Sequence, residues 1–340
     1  MEFVKRRSFI SKRLQQLQQL QRRSFRTGLT AAVLLLPVLS GCEKVKAAVR
    51  AGPDLQWVSD SAFLANKPGV VFRLVPFNDT LVRVVPVASI GSQGARNIRM
   101  GNRGWRAFDL TYLQSDVPMH AVQRGRPSDG IAKHRGYWEP SPLDRPDSTK
   151  GCIANFPTGF AHVGDRQVQL ATSVPPTPLK YPNELSAAEL QEAIDLVPLL
   201  IAPTAGISTS QLQRYERRIF QVPSGSGPNP SIVLEFDDPE VPPDSVPSMG
   251  ERPRHLIVVL DKGVYGYKPS WTYKSLGNRK DQVRLKFLDF VDTNGDGLVE
   301  LFFGARVEAL PRFTRVLKFE TDVWRETLTY QGNDCMATRQ

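Results

Sequence analysis

The sequence is poor in the residues that build most catalytic and metal sites. Its 340 residues include three cysteines and four histidines. No two histidines are four residues apart and no H-E-x-x-H or C-x-x-C motif occurs, so nothing supports a zinc site. The G-x-S-x-G elbow, the Walker loop and the dinucleotide-binding glycine pattern are also missing. The sequence therefore predicts no catalytic residues.

Long apolar runs are absent as well. A helix that spans a bilayer needs about twenty consecutive apolar residues, whereas the main apolar run, Gly28–Leu39, has twelve. Apolar residues make up 41% of the chain and charged residues 23%, which is an ordinary globular balance. This composition excludes a disordered tail protein, a fibrous protein and a multi-span membrane protein.

Residues 1–41 have the pattern of an export signal. A basic head precedes the apolar run Gly28–Leu39. The eight basic residues of this head are Lys5, Arg6, Arg7, Lys12, Arg13, Arg22, Arg23 and Arg26. A short apolar run behind a basic head is typical of a signal peptide and not of a transmembrane helix. We therefore expect residues 1–41 to direct the chain out of the cytoplasm.

The apolar run ends in Leu39-Ser40-Gly41-Cys42. This sequence resembles the lipobox of bacterial lipoproteins, in which small residues precede a cysteine that becomes the first residue of the mature protein. The resemblance implies that Cys42 carries diacylglycerol on its sulfur and an acyl chain on its amino group. Several acyl chains anchor a protein stably, whereas one chain alone binds a bilayer only marginally. A leader that is cleaved elsewhere is the alternative.

The residues around the lipobox bear on the export route and the destination. Arg6–Ile10 and Arg22–Phe25 each resemble the twin-arginine motif for the export of folded proteins. The basic head of any export signal explains the same residues, so the general secretory route stays open. Glu43, not Asp, follows Cys42, which in families sorted by this position favours the outer membrane over the inner membrane. We expect a lipid-anchored protein of the bacterial cell envelope, on the periplasmic or the surface side.

The positive charge of the chain is concentrated in its leader. The whole chain has 44 Lys and Arg against 34 Asp and Glu, a formal net charge of +10. Residues 1–41 hold eight of these basic residues and one acid, Glu2, which leaves 36 basic residues against 33 acids in residues 42–340. A mature chain of such low net charge has little of the basic excess that nucleic-acid binding requires. We expect no nucleic-acid partner.

Cysteine usage agrees with export. If Cys42 carries the lipid, Cys152 and Cys335 remain as a pair in an oxidising compartment. A disulfide between two residues so far apart in the chain stabilises a fold by up to ~5 kcal/mol in the chain-entropy model. Two buried free thiols are the alternative. We expect the disulfide, because it would also fix the C-terminal tail.

The mature chain has the pattern of a mainly β protein, α+β at most, with antiparallel strands and hairpins and one or two inserted helices. Val70–Leu74 and Leu81–Val85 are rich in β-branched residues and flank the turn Phe77–Thr80. The alternation in Trp105–Leu113 predicts a half-buried strand. The predicted segments are a signal peptide (1–41), a lipidated tether (42–68), a β-rich domain (69–182), a helical insertion (183–222), a Pro/Gly-rich linker (223–253) and a β-rich C-terminal region (254–340).

The helical insertion has clear start signals. Ser186 and Glu189 form a capping box, in which each side chain satisfies a backbone N–H of the first turn. The apolar residues of Leu190–Val197 follow at helical spacing, and Pro198 is expected to end or bend the helix. A second helix is predicted over Ser208–Arg218, with its basic residues on a solvated face.

One segment carries a motif with a chemical mechanism. Oxygen-bearing side chains alternate along a tight loop between two predicted strands. The candidate ligands are Asp292, Asn294, Asp296 and Glu300 at positions 1, 3, 5 and 9, together with the backbone carbonyl of Leu298. A hard cation such as Ca²⁺ takes about six to eight oxygens, and Gly295 and Gly297 allow the tight turn. The motif predicts a structural Ca²⁺ ion, and a hairpin turn that binds nothing is the alternative.

The loop is not an EF-hand, because Phe303 stands at position 12, where an EF-hand has a bidentate Glu. It resembles the D-x-N-x-D-G-x-x-[DE] loop of FG-GAP and VCBS-type β-propeller repeats, where a calcium loop joins two strands of a blade. The resemblance covers about twenty residues and occurs once, so it does not imply a full propeller. Asp289, which precedes the loop, is expected to be a strand residue that faces water, and a further metal ligand is the alternative.

Two classes of function stay open. The first is a non-enzymatic envelope lipoprotein, a module that binds an envelope protein or a glycan or supports surface structure. The second is a secreted hydrolase of a polysaccharide or a peptide. Tyr137-Trp138 and the aromatics of Tyr265–Tyr273 are candidates for a groove, although core or cross-strand packing is the more common role of such residues. We expect the first class, which an exposed aromatic groove without converging titratable groups would favour. A pocket that holds two carboxylates, or His with Asp, would favour the second.

Overall fold

The fold is mainly β, as predicted. It is seen in a computed structural model that describes residues 65–98, 102–116, 118–128, 131–133, 158–165, 167–180, 184–224, 228–239, 255–275, 284–305, 314–320 and 323–330. Of these residues, 50% lie in strands and 18% in helices. The strands of the described residues form three antiparallel sheets.

Sheet 1 is built from the first eight strands. They are β1 (Val70–Pro76), β2 (Val82–Gly91), β3 (Gly94–Arg96), β4 (His120–Gln123), β5 (Arg126–Ser128), β6 (Ile131–Lys133), β7 (Gly159–Val163) and β8 (Leu170–Thr172). The strand order is β5-β4-β8-β1-β2-β7-β6, and β3 pairs with β2. The predicted first hairpin is present as β1 and β2.

Sheets 2 and 3 have four strands each. Sheet 2 consists of β9 (Glu216–Val222), β10 (Ser231–Asp237), β11 (His255–Gly263) and β12 (Gly266–Ser275), in the order β12-β11-β10-β9. Sheet 3 consists of β13 (Leu285–Val291), β14 (Glu300–Ala305), β15 (Thr314–Glu320) and β16 (Val323–Tyr330), in sequence order. Every residue of β10 is buried, so the strand inside the predicted linker is an inner strand of sheet 2.

A helical segment follows sheet 1's first three strands. Helix α1 (Asn102–Phe108) continues into a π-helical turn (Asp109–Leu113), and the strand predicted for this stretch is wrong. Trp105, Phe108 and Tyr112 are three and four residues apart and are all buried. That spacing places them on one side of a helix, where their rings contact one another.

The capped helix is longer than predicted. Helix α2 (Ala187–Ala205) begins with the predicted capping box, in which Ser186 and Glu189 satisfy each other's backbone N–H groups. Pro198 does not end it, because buried residues on both sides of Pro198 pack against sheet 2. The second helix, α3 (Thr209–Leu212), has only four residues. Of the basic residues predicted to continue it, Arg217 and Arg218 lie in β9 and Arg214 lies in the turn before β9.

The elements stack in five layers. One face of sheet 2 packs against α2 and α3, and its other face packs against sheet 3. The far face of sheet 3 packs against sheet 1, whose outer face carries α1 and the π-helical turn. Sheet 3 is therefore covered on both faces, which explains why β13 and β14 are mostly apolar and buried. The loop between β13 and β14 lies where sheet 3 meets sheet 1.

Candidate functional site

The predicted calcium loop joins β13 to β14, so the expectation of flanking strands is confirmed. Its turn passes through Gly295 and Gly297, which have φ values of 77° and 84°. Glycine adopts this left-handed region without the strain that a Cβ imposes. The sequence pattern and the backbone of the loop therefore agree.

Two acidic residues hold the loop in shape. The two carboxylate oxygens of Asp292 accept the backbone N–H of Gly295 at 2.7 Å and that of Gly297 at 2.8 Å. Asp296 Oδ1 accepts the N–H of Leu298 at 2.9 Å. These local bonds replace the ladder bonds that the backbone loses in the turn. The side chains of Asp292 and Asp296 thus organise the loop backbone from within.

A lysine that the motif does not contain lies among the loop's carboxylates. Lys318 of β15 is the cross-strand partner of Glu300. Its Nζ is 2.6 Å from Asp296 Oδ2, 3.6 Å from Glu300 Oε1 and 3.3 Å from the carbonyl oxygen of Gln93, to which it donates. The Lys318 side chain is only 5% exposed. An ammonium of the protein itself therefore neutralises much of the negative charge here.

The oxygens of the loop fit a hard cation in type. Glu300 Oε1 and Asn294 Oδ1 are buried and accept no hydrogen bond from the described residues, and carboxylate and amide oxygens are ligands that Ca²⁺ prefers. Burial raises the pKa of Glu300 to about 7. A cation near this group would therefore stabilise its charged form. Across the described ranges, however, no three His, Cys, Asp or Glu residues are grouped so that they could hold a metal ion. The donor types fit, but Lys318 and the loop amides engage the carboxylates.

The loop also contacts the β2–β3 turn of sheet 1. Asn294 Nδ2 donates to the carbonyl oxygen of Ser92 at 2.8 Å. Gly94 packs so closely on the loop that a Cβ at this position would lie 2.2 Å from Glu300 Oε1. The loop is therefore a contact between sheet 1 and sheet 3 as well as a turn.

Asp289 does not face water, and that prediction is wrong. It is buried in β13, and its carboxylate accepts the backbone N–H groups of Arg124 at 2.8 Å and Gly125 at 3.2 Å. These two residues form the β4–β5 turn of sheet 1. Burial raises the pKa of Asp289 to about 7, although the hydrogen bonds lower it in part. Asp289 is thus a second polar link between sheets 1 and 3.

A third polar cluster lies at one end of sheet 2. His255 Nδ1 is 2.8 Å from Asp237 Oδ1, and His255 is fully buried. Arg218 lies 3.4 Å from Asp237 and 3.5 Å from Glu235, and Glu235 accepts the backbone N–H of Phe287 in sheet 3. Burial raises the pKa of Glu235.

This cluster brings together residue types that catalysis uses. Asp237, His255 and Ser275 are consecutive cross-strand partners on β10, β11 and β12. His255 Nε2 has no hydrogen-bond partner among the described residues. A histidine held by an aspartate can accept a proton from a hydroxyl group. Both His255 and Ser275 are buried, however.

The sequence did not predict that Lys318 lies among the loop carboxylates or that His255 pairs with Asp237. Each had a weak signal, a charged or polar residue at a strand position otherwise occupied by apolar ones. Lys318 lies in the apolar run of β15, and Asp237 and His255 end and begin two apolar strands. Strand register, which pairs Glu300 with Lys318 and Asp237 with His255, was the missing information.

The candidate aromatic residues do not share one groove. Trp271 and Tyr273 stack on each other and join the core between sheets 2 and 3. Tyr267 is buried and donates from its hydroxyl group to the carbonyl oxygen of Pro230, whereas Tyr265 is fully exposed in the β11–β12 turn. Tyr137-Trp138 lies outside the described residues.

Cys42, Cys152 and Cys335 also lie outside the described residues, so the lipid anchor and the disulfide stay predictions. In the part of the chain that the structure describes, no helix has the length and apolar character needed to span a membrane. Comparison of the chain with protein-family models, with curated proteins and with solved structures gives no match.

Proposed function

We propose that this chain is an exported lipoprotein of the bacterial cell envelope whose folded part is a non-enzymatic binding or structural module. The observation that carries the proposal is the sequence Leu39-Ser40-Gly41-Cys42 behind a short apolar run and a basic head. Cys42 is then the acylated anchor, and membrane lipid is the first partner. A second partner is an envelope protein or a glycan.

The use of buried polar groups supports a non-enzymatic module. The carboxylates of Asp289 and Glu235 each accept a backbone N–H from another sheet. Glu300 accepts the N–H of Thr293 and pairs with Lys318. Buried charges are costly unless they are paired and hydrogen-bonded. These carboxylates therefore have a structural role, which is to connect the sheets, and this role does not require a substrate.

We further propose that the loop of Asp292, Asn294, Asp296, Leu298 and Glu300 binds Ca²⁺ as a structural ion. Two buried oxygens support this proposal, namely Asn294 Oδ1 and Glu300 Oε1, which accept no hydrogen bond from the described residues. Glu300 Oε1 has only the Lys318 ammonium, at 3.6 Å, as its counter-charge. Because the loop contacts the β2–β3 turn, an ion in it would stabilise the contact between sheets 1 and 3 as well as the hairpin. We expect a Ca²⁺ ion to raise the melting temperature of the mature chain.

Thermal unfolding with excess Ca²⁺ and with a chelator tests the calcium proposal. We expect Ca²⁺ to raise the melting temperature by several degrees, because a ligand that binds only the folded state stabilises it. Asp292→Asn should abolish this shift, whereas Glu192→Gln, which removes an exposed acid of α2, should retain it. An equal melting temperature with Ca²⁺ and chelator in the wild type would reject the calcium ion.

We also propose the disulfide between Cys152 and Cys335. Alkylation of the unfolded mature chain before and after reduction, followed by mass measurement, tests it. We expect no modified thiol at these two positions before reduction and two after it. Two alkylated thiols without reduction would reject the disulfide and favour free thiols.

A secreted hydrolase is the second candidate, and the His255–Asp237 pair is the observation that favours it. Activity toward envelope polysaccharide and peptide substrates is the test, with His255→Gln as the matched variant. Turnover by the wild type that His255→Gln abolishes without loss of folding would replace the non-enzymatic proposal. Equal absence of turnover in both proteins agrees with a structural role for the pair.

A further inference from the structure

We infer that the Lys318 ammonium occupies the cation position of the 292–300 loop, so that a divalent ion enters only by displacing it. This inference rests on the proposed calcium site and adds its regulation. It makes Lys318 the residue that sets how tightly the loop binds Ca²⁺, although the loop motif does not contain it.

The first support is the position of the ammonium. Its three oxygen neighbours come from three elements, namely Asp296 of the loop, Glu300 of β14 and the Gln93 carbonyl of the β2–β3 turn. Two of the four side chains that the motif assigns to a metal ion are therefore already engaged by a positive charge. An ammonium nitrogen with oxygens on three sides has the surroundings of a bound cation.

The second support is burial. Lys318 is 4% exposed and Glu300 is fully buried. A buried ammonium is costly unless it is paired with opposite charges and hydrogen-bonded. The carboxylates of Asp296 and Glu300 and the carbonyl oxygen of Gln93 supply these partners.

A divalent ion and this ammonium exclude each other. Positive charges a few ångströms apart repel strongly where the surroundings are dry. They also need the same oxygens of Asp296 and Glu300. Displacement of Lys318 would release the Gln93 carbonyl, which then becomes an available oxygen ligand from sheet 1. Calcium binding is therefore coupled to the contact between the loop and the β2–β3 turn.

Isothermal titration of the mature chain with Ca²⁺ tests the inference. Lys318→Met removes the charge and keeps an unbranched apolar side chain, and we expect it to bind Ca²⁺ about tenfold more tightly or better than the wild type. Lys268→Met removes an exposed charge from β12 and should bind Ca²⁺ as the wild type does. In chelator, Lys318→Met should melt at a lower temperature than the wild type, because Glu300 loses its counter-charge.

A folding control is needed because Lys318→Met leaves Glu300 unpaired. The double variant Lys318→Met/Glu300→Gln removes both charges, so it should fold in chelator without the tighter Ca²⁺ binding. If Lys318→Met binds Ca²⁺ and the wild type does not, the Lys318 ammonium keeps the ion out of the wild-type loop, so the inference is supported and the calcium proposal for the wild type is wrong. If the wild type and Lys318→Met bind equally, the calcium proposal stands and the inference is wrong. If the wild type and Lys318→Met both fold and neither binds Ca²⁺, the calcium proposal and the inference are both wrong.

Discussion

Asp289 illustrates how a single buried carboxylate can join two sheets. Its position in β13 and the apolar residues around it explain its burial, and the two N–H groups of the β4–β5 turn explain why burial is tolerated. The sequence contained no sign of this role, because the turn is 164 residues away in the chain. A polar residue in an apolar strand indicates a buried partner but does not identify it.

Asp289 should make stability depend on pH. Burial raises its folded-state pKa to about 7, well above the usual value of an aspartate, so the folded state holds the proton more tightly than the unfolded state. This contribution to stability is fully present below pH ~4 and is lost as the pH rises to about 7. Urea unfolding at several pH values should show the wild type losing stability relative to Asp289→Asn across this interval. Parallel pH profiles would contradict the assignment, and Asp195→Asn on the exposed face of α2 is the control.

Gly94 tests the close contact between sheet 1 and the loop. Its φ of 102° and its distance from Glu300 both disfavour a side chain. Gly266 has a similar φ of 114°, but no atom lies within 4 Å of the place where its Cβ would stand. Gly94→Ala should therefore destabilise the protein more than Gly266→Ala, by about 1–3 kcal/mol in urea unfolding. Equal losses of unfolding free energy in the two variants would mean that the positive φ, and not the contact with Glu300, causes the destabilisation at Gly94.

At the scale of elements, α1 shows where pattern reading fails. Trp105, Phe108 and Tyr112 satisfy a helical spacing, but small and polar residues between them also suit alternation. The segment is too short for its pattern of apolar residues to distinguish the helical period from the two-residue period of a strand. The capping box of α2 was predictable because it is a local chemical signal, whereas the passage of α2 through Pro198 depends on packing against sheet 2.

Two substitutions in this segment distinguish a helix from a strand. In a strand Phe108 and Leu110 would share a face, but here Phe108 is fully buried and Leu110 is 68% exposed. Phe108→Ala should cost about 3–5 kcal/mol of unfolding free energy, and Leu110→Ala less than about 0.5 kcal/mol. Chemical denaturation of both variants measures the difference. Similar large losses of unfolding free energy at both positions would contradict the helix and support the predicted strand.

At the scale of the whole molecule, the five-layer stack follows from inner strands such as β10, β13 and β14, which are mostly apolar and buried on both faces. Sheet 3 must be covered twice, so sheets 1 and 2 take its two faces. The sequence predicted the strands of this sheet and its loop, because their signals are local. It did not predict the order of sheets or the partners of Glu300 and Asp237, because these depend on register and on contacts between distant segments.

The proposed lipid anchor on Cys42 would hold the five-layer stack at a membrane surface. The low charge of residues 42–340, the sequence of the leader and the loop chemistry all suit an exported module. None of them locates the protein as directly as the chemistry of Cys42. A lipid on this residue fixes the compartment, the redox environment of the remaining cysteines and the availability of calcium.

Mass spectrometry of the N-terminal peptide tests this claim most directly. The chain should be expressed with its own leader in a bacterial host and recovered from the membrane fraction, with Cys42→Ser as the control. We predict a mature wild-type chain that begins at Cys42 and carries diacylglycerol and an amide-linked acyl chain, both absent from Cys42→Ser. A wild-type chain with an intact leader, or one without acyl groups, would contradict the account.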